Sequence, residues 1–241
     1  MGTFMTEEEF STPEGRKAAW KSLMWEDHGW IRKLYKNTHW ISDDMVRTYQ
    51  PSPADIRDWA KQGIRTIINL RGLRNVHGGG RVSDSQPGFY WLEKEACEEN
   101  GITLINHRAW SREAPPKDFL LGLNEIFDSI AYPALMHCKS GADRAGIAST
   151  LYKFLKQEKP LDEALGQLAF RPYGHVKTGK TGVLDYFFEV YALAAGHDGV
   201  EPKKAHFLDW VETRYDRDMV TDGFRSGKMG SLLTEVILRR E

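Results

Sequence analysis

His137-Cys138-Lys139-Ser140-Gly141-Ala142-Asp143-Arg144-Ala145-Gly146 is the stretch whose residue types and spacing specify chemistry most directly. A cysteine opens it, an arginine closes it, and five residues lie between. The apolar run Ala134-Leu135-Met136 precedes it and an amphipathic helical pattern follows, so it reads as strand, tight loop, helix. So short a loop turns successive backbone N–H groups inward and forms an anion-binding nest at a helix N-terminus. The same field favours thiolate over thiol, which makes Cys138 a nucleophile at neutral pH. Arg144 adds a planar fork matched to two oxygens of a tetrahedral phosphate. A nucleophile and an oxyanion cradle on one loop point to phosphate-ester chemistry.

The elements that must position this loop are legible on either side of it. Ser52-Pro53-Ala54-Asp55 supplies an N-cap, a proline at the first helical position and an early acid, so a helix runs to about Gln62 and ends at Gly63. Ile64 to Leu70 is an isoleucine-rich buried strand. Asn75 to Gly88, with Gly78-Gly79-Gly80 and Pro87, is a loop; a helix then spans about Phe89 to Glu99 and stops at Asn100-Gly101. Ile102 to Asn106 is the next strand. Phe119, Leu120, Leu123, Ile126, Phe127 and Ile130 share one helical face. Ile147, Leu151, Phe154 and Leu155 form the buried stripe of the helix after the loop. Further helices are expected over Leu161–Ala169, Leu184–Ala195, His206–Thr221 and Ser231–Arg240, with a hinge at Gly196–Pro202. Strands alternating with helices at this spacing predict a three-layer α/β fold, with a mostly parallel sheet of four to five strands covered on both faces.

The loop resembles that of the cysteine-dependent protein tyrosine and dual-specificity phosphatases, in the version carried by bacterial members. His before the cysteine, Gly within the loop and Gly after it make the match specific. Arg47-Thr48-Tyr49-Gln50-Pro51-Ser52-Pro53 and Gly63-Ile64-Arg65-Thr66-Ile67-Ile68-Asn69-Leu70-Arg71 are similar to the first strand, helix and second strand of those enzymes. The resemblance implies a phosphatase domain over residues 38–195. A tryptophan-rich N-terminal extension over 1–37 and a helical C-terminal extension over 196–241 lie outside it.

Bulk properties narrow the alternatives. At 241 residues the chain suits one domain with terminal elaborations. A formal charge of −1 gives no footprint for DNA or RNA. Cys97 and Cys138 are too few for a disulfide framework or a zinc site, and no cofactor or metal is implied. A thiol that must stay reduced fits the cytoplasm. No apolar stretch approaches the ~20 residues that span a bilayer, and Met1 to Phe10 holds three consecutive glutamates and no secretory h-region. Met1-Gly2-Thr3-Phe4-Met5-Thr6 fits a bare myristoylation pattern, which without a basic anchor is weak. Residues 1–15 are expected to be polar and mobile. Trp20, Trp25, Trp30 and Trp40 are expected to pack as a lid on a core, with a membrane-surface role as the alternative.

The resemblance implies roles residue by residue. Cys138 attacks phosphorus and forms a phosphocysteine that water hydrolyses, and Arg144 clamps the equatorial oxygens. Lys139, Ser140, Gly141, Ala142 and Asp143 complete the phosphate-binding loop, and His137 supports it from behind. Most of the family places an aspartate about thirty residues before the cysteine as general acid. Here that place reads Ala109-Trp110-Ser111-Arg112-Glu113, with Arg112 near the expected position. Asp143, inside the loop, and Glu113, one residue displaced, are both candidates, with Asp143 slightly favoured and Asp118 behind them. Ala145 stands where relatives carry Ser or Thr to stabilise the departing thiolate, which predicts slow phosphoenzyme breakdown and a burst of product. Arg71 leaves the strand at the ligand-binding edge of the sheet, ahead of Arg74, His77 and Arg81, and is expected to help bind an anionic substrate. Gly174-His175 is a second loop that could reach the site, and Gln167 a weak candidate for orienting water. A redox pairing of Cys97 with Cys138 is a remote expectation.

The leading expectation is a metal-independent phosphomonoesterase acting on phosphotyrosine, and on phosphoserine or phosphothreonine. The alternative is the same chemistry on a phospholipid, inositol phosphate or lipid A headgroup. A phosphate-binding module without turnover and a rhodanese-like sulfurtransferase complete the field.

Overall fold

A computed structural model describes residues 3–32, 34–75 and 81–227. His77, Gly78-Gly79-Gly80, the Met1-Gly2 of the acylation pattern and the helix expected over Ser231–Arg240 lie outside the described residues. The strands are β1 Phe4–Met5, β2 His39–Trp40, β3 Met45–Thr48, β4 Thr66–Asn69, β5 Gln86–Pro87, β6 Thr103–Asn106 and β7 Ala134–His137. The α-helices begin with α1 Glu7–Phe10, α2 Pro13–Lys21, α3 Gly29–Arg32, α4 Pro53–Lys61 and α5 Gly88–Glu99. They continue with α6 Lys117–Ser129, α7 Asp143–Leu151, α8 Leu161–Leu165, α9 Val183–His197, α10 Lys204–Thr213 and α11 Arg217–Ser226. The protein is mixed α/β, with a central, mostly parallel sheet flanked by helices, as the sequence predicts.

The chain divides into two compact units. One comprises Met1–Arg108 with Ile130–Gly141, the other Ala109–Ser129 with Ala142–Glu241. The first holds the five-stranded sheet, in the order β2-β3-β7-β4-β6. β7 pairs in parallel with β3 on one side and β4 on the other, and β2 is the antiparallel edge. All four residues of β7 are buried, so their apolar run is the one expected of a strand covered on both faces. Val46, Ile56, Ile64, Ile67, Ala96, Cys97, Ile102 and Leu135 make one core cluster beneath α4 and α5. α4 starts with the expected capping box, Ser52 accepting from the Asp55 N–H and Asp55 from the Ser52 N–H.

Three expectations need correction. The first fifteen residues are not a loose tail over their described part. β1 pairs with β5, Thr6 and Glu9 form a capping box, and the Trp91 indole donates to the Met5 carbonyl at 2.8 Å. Local capping fixes these short helices, and Gly88 lets α2 approach α5 closely, since a Cβ there would lie 2.7 Å from Ala19 Cα. Trp20, Trp25, Trp30 and Trp40 do not form a lid; all four are exposed. Ala19, Ser22, Leu23, Gly29 and Arg32 take the inward positions of that segment instead. Finally, the helix expected over His206–Thr221 is two helices, because Asp216 caps a new start by accepting from the Asp218 and Met219 N–H groups.

In the second unit, α9 and α10 pack through aromatic contacts. Phe207 stands edge-on to Tyr191 at 4.8 Å and to Phe187 at 6.1 Å. That apolar cluster anchors α9, whose first turn carries Asp185.

Candidate active site

Cys138 follows the carboxyl end of β7, the central strand, and is buried. Its N–H donates to the Thr48 carbonyl at 3.4 Å, extending the β3–β7 ladder by one residue. The next three carbonyls are then each held from outside the loop. Lys139 O accepts from the Gln50 N–H at 3.3 Å, Ser140 O from Asn37 Nδ2 at 3.0 Å, and Gly141 O from Arg47 Nη2 at 2.8 Å. In a trans peptide the N–H points opposite to its C=O. Fixing three consecutive carbonyls outward therefore turns the N–H groups of the same peptide planes to the opposite side, which is how a nest is built. Arg47 is fully buried to do this. Gly141 is obligatory here: its φ is +75°, and a Cβ would come within 2.9 Å of the Thr48 carbonyl carbon.

Behind the loop lies a buried polar chain. His137 Nε2 is 2.5 Å from Glu93 Oε1, and both side chains are excluded from solvent. Gln50 Nε2 donates to Glu93 Oε2 at 2.9 Å, and Arg71 Nη1 donates to Gln50 Oε1 at 2.9 Å. Arg71 also holds Asp27 through both nitrogens, each at 2.8 Å. Arg32 binds the same carboxylate at 2.6 Å, and Lys139 Nζ stands 3.7 Å from it. Burial alone would push the Asp27 pKa up, but the hydrogen bonds from Arg71 and the charges of Arg71, Arg32 and Lys139 outweigh it and hold the carboxyl below its ordinary value. Arg71 and Lys139 line a cavity of about 300 Å³ with Phe4, Glu26, Asp27 and Phe89. Arg71 thus stands beside a loop residue, with its guanidinium stacked 3.8 Å from the Phe89 ring. The two other described members of the expected basic rim lie elsewhere. Arg74 lies over Phe4, and Arg81 is exposed near Asp84.

Cys97 sits fully buried in the core cluster, where burial pushes its thiol pKa up. It packs in the core as a free thiol.

The other end of the loop opens α7 in the second unit. Its N-cap is Ala142, whose side chain offers no acceptor to the first-turn amides. Asp143 is the first helical residue, and its Oδ1 lies 2.8 Å from His175 Nδ1. The opposite ring nitrogen, Nε2, lies 2.8 Å from Asp185 Oδ2. His175 is buried, which by itself would lower its pKa, but the two carboxylates more than compensate and raise it to about 9. At neutral pH it is an imidazolium donating one proton to each acid. Glu113 is placed differently: half-exposed, it accepts from Arg217 Nη2 at 2.6 Å. Asp118 is exposed in the first turn of α6. Gln167 is buried and donates to the Tyr173 hydroxyl at 3.2 Å.

Sequence reasoning missed Asp27, Gln50, Glu93 and Asp185. A signal existed for Glu93, which falls at i+4 between Phe89 and Cys97 on the buried face of α5. Asp185 gave none, since an acid in the first turn of a helix is ordinary.

Proteins similar to this chain are protein tyrosine and dual-specificity phosphatases. No protein-family model matches the chain. Mus musculus protein tyrosine phosphatase domain-containing protein 1 is 26% identical over 150 residues, 56% of this chain and 19% of that protein. The chain therefore spans about a fifth of the length of this curated relative. Among solved structures, Tk-PTP in its active form is 17% identical, with 64% of this chain and 98% of that one covered at a TM-score of 0.45. PTPMT1 in complex with PI(5)P is 17% identical, with 66% and 99% covered at a TM-score of 0.44.

Proposed function

We propose that the protein hydrolyses phosphomonoesters through a phosphocysteine on Cys138. The observation that carries this reading is the outward tethering of the Lys139, Ser140 and Gly141 carbonyls, which commits the loop's amides to an anion just after the cysteine. Arg144 follows six positions later on the same continuous loop and clamps the equatorial oxygens. The Cys138 thiolate attacks phosphorus as the P–O bond to the leaving group breaks. The leaving oxygen takes a proton from Asp143, whose carboxyl is protonated once the phosphate dianion is bound beside it and raises its proton affinity. Water then attacks phosphorus and returns a proton to Asp143, while the P–S bond breaks and the thiolate departs.

Asp143 is the general acid in this reading. His175 occupies its Oδ1 and fixes its direction, leaving Oδ2 to carry the transferred proton. Glu113 is bound to Arg217 instead. His137 is a positioning residue: with Glu93 behind it, it holds the end of β7 from which the loop springs.

Hydrolysis of para-nitrophenyl phosphate in EDTA tests the assignment. Wild type should turn over, and Cys138→Ser should lose at least about 10³-fold in kcat. Acid quench after mixing with a ³²P-labelled substrate should trap label on the protein in wild type alone. Turnover that survives in Cys138→Ser would overturn the phosphocysteine, and its absence in wild type would favour a binding module.

A further inference from the structure

Among the described residues, the segment from Trp25 to Lys36 presents large apolar side chains to solvent. Leu34 is 83% exposed, Trp25 65%, Tyr35 62%, Ile31 45% and Trp30 44%. Trp25 and Trp30 stand with ring centroids 6.4 Å apart, so two of these residues make one surface. Scattered exposed hydrophobics are ordinary, but five large ones within eleven residues form a patch of the kind that marks an interaction site.

The charges around it select the partner. From Lys17 to Lys36 the exposed charged or imidazole side chains among the described residues are all basic: Lys17, Lys21, His28 and Lys36. Of the two acids of the stretch, Asp27 is buried and Glu26 is half-exposed but engaged. Glu26 accepts from the Thr3 N–H at 2.6 Å and hydroxyl at 2.8 Å, and Asp27 is enclosed by Arg71, Arg32 and Lys139. Tryptophan and tyrosine with leucine, in a stretch that carries exposed lysines and no fully exposed acid among its described residues, match the headgroup region of an anionic bilayer.

The inner side of the same segment reaches the candidate catalytic loop. Asp27 meets Arg71 and Lys139, and Asn37, directly after Lys36, donates to the Ser140 carbonyl at 3.0 Å. A surface seated on the outer side is therefore coupled, within one unit, to the loop that would take the phosphate.

We propose that Trp25, Trp30, Ile31, Leu34 and Tyr35 dock the protein on an anionic membrane surface and that its substrate is a lipid phosphomonoester headgroup. The substrate half rests on the phosphatase reading above; the docking half does not.

The test is flotation of the full chain with vesicles of phosphatidylcholine alone, or with about 30 mol% phosphatidylglycerol. Phosphatidylglycerol is a diester, so binding is read without turnover. Wild type should float with the anionic vesicles and stay behind with the neutral ones, and added salt should weaken the association. The variant Trp25→Ala/Trp30→Ala/Leu34→Ser should bind at least about tenfold more weakly while keeping wild-type kcat/KM on para-nitrophenyl phosphate, which shows that it is folded. On phosphatidic acid carried in the same anionic vesicles, wild type should outpace the variant by a similar factor. Three results would overturn the proposal: equal flotation of variant and wild type, no flotation of either, or a wild-type dimer in light scattering that the variant converts to monomer. The last would assign the patch to a second copy of this chain. Flotation without hydrolysis of any ester would sink the phosphatase reading and leave the docking intact.

Discussion

The two units solve opposite electrostatic problems. In the first, one acid, Asp27, is surrounded by three cations, Arg32, Arg71 and Lys139. In the second, one cation, His175, is held between two acids, Asp143 and Asp185. The first arrangement leaves a surplus of positive charge next to Cys138, suited to holding a phosphate dianion. The second leaves a surplus of carboxylate at the start of α7, suited to moving a proton. Binding and proton transfer need opposite fields, and distributing them over two separately organised networks lets each be tuned without spoiling the other.

The sharpest way to break this comparison is to remove the proton donor from the second network. Asp143→Asn keeps a hydrogen-bonding partner for His175 but cannot give up a proton. It should lower kcat about 10²–10⁴-fold on an alkyl or phenyl phosphate, whose leaving group needs protonation. The loss should shrink on para-nitrophenyl phosphate, which departs as a stable anion. Glu113→Gln should change kcat less than about threefold on either substrate, because its carboxylate is spent on Arg217. Equal losses in the two variants, or a large loss only in Glu113→Gln, would move the acid out of the His175 network. The dependence on leaving group guards against mistaking misfolding for lost chemistry.

The sheet and the loop were legible in the sequence, and the networks were not. Strands buried on both faces carry continuous apolar runs, so Ile67-Ile68 and Leu135-Met136 announce themselves without knowledge of their neighbours. The loop is legible because nucleophile, glycine and arginine lie within seven residues of one another. Asp143 and His175 are 32 positions apart, and Asp27 and Arg71 are 44. Nothing local distinguishes such pairs from solvated charges, and only the folded chain decides which acids lose their water. The N-terminal tryptophans failed for a related reason. Side-chain type signals burial, but the helical phase of residues 19–32 turns alanine, leucine and glycine inward and leaves the indoles outside.

The first network can be probed through stability. Asp27→Asn leaves Arg32 and Arg71 buried with an uncompensated charge, which should cost about 3–5 kcal/mol at pH 7. The folded-state pKa of Asp27 is depressed below its ordinary 3.8. Its ionised form therefore contributes stability above that value, and the contribution fades as pH falls through the lower, folded-state pKa. Urea midpoints of wild type and variant should accordingly lie well apart at pH 7 and converge below pH 3.8. A gap that persists unchanged into acid would mean that Asp27 acts through packing rather than charge.

The second network should show the opposite pH dependence, and this is the smaller effect. Burial alone would lower the His175 pKa, but Asp143 and Asp185 raise it from 6.5 to about 9. A raised folded-state pKa means that the imidazolium contributes fully below pH 6.5 and that this contribution is lost as pH climbs through 9. With one pKa unit equal to about 1.4 kcal/mol, the contribution is at most about 3.5 kcal/mol. Wild type should thus lose stability between pH 6.5 and 9 relative to His175→Asn, whose side chain does not titrate. The imidazole's own titration, followed by its carbon-bound proton resonances, should fall near the upper end of that window. A midpoint near 6.5 would show that the two carboxylates do not hold a charged ring, and Asp143 would lose the partner that aims it.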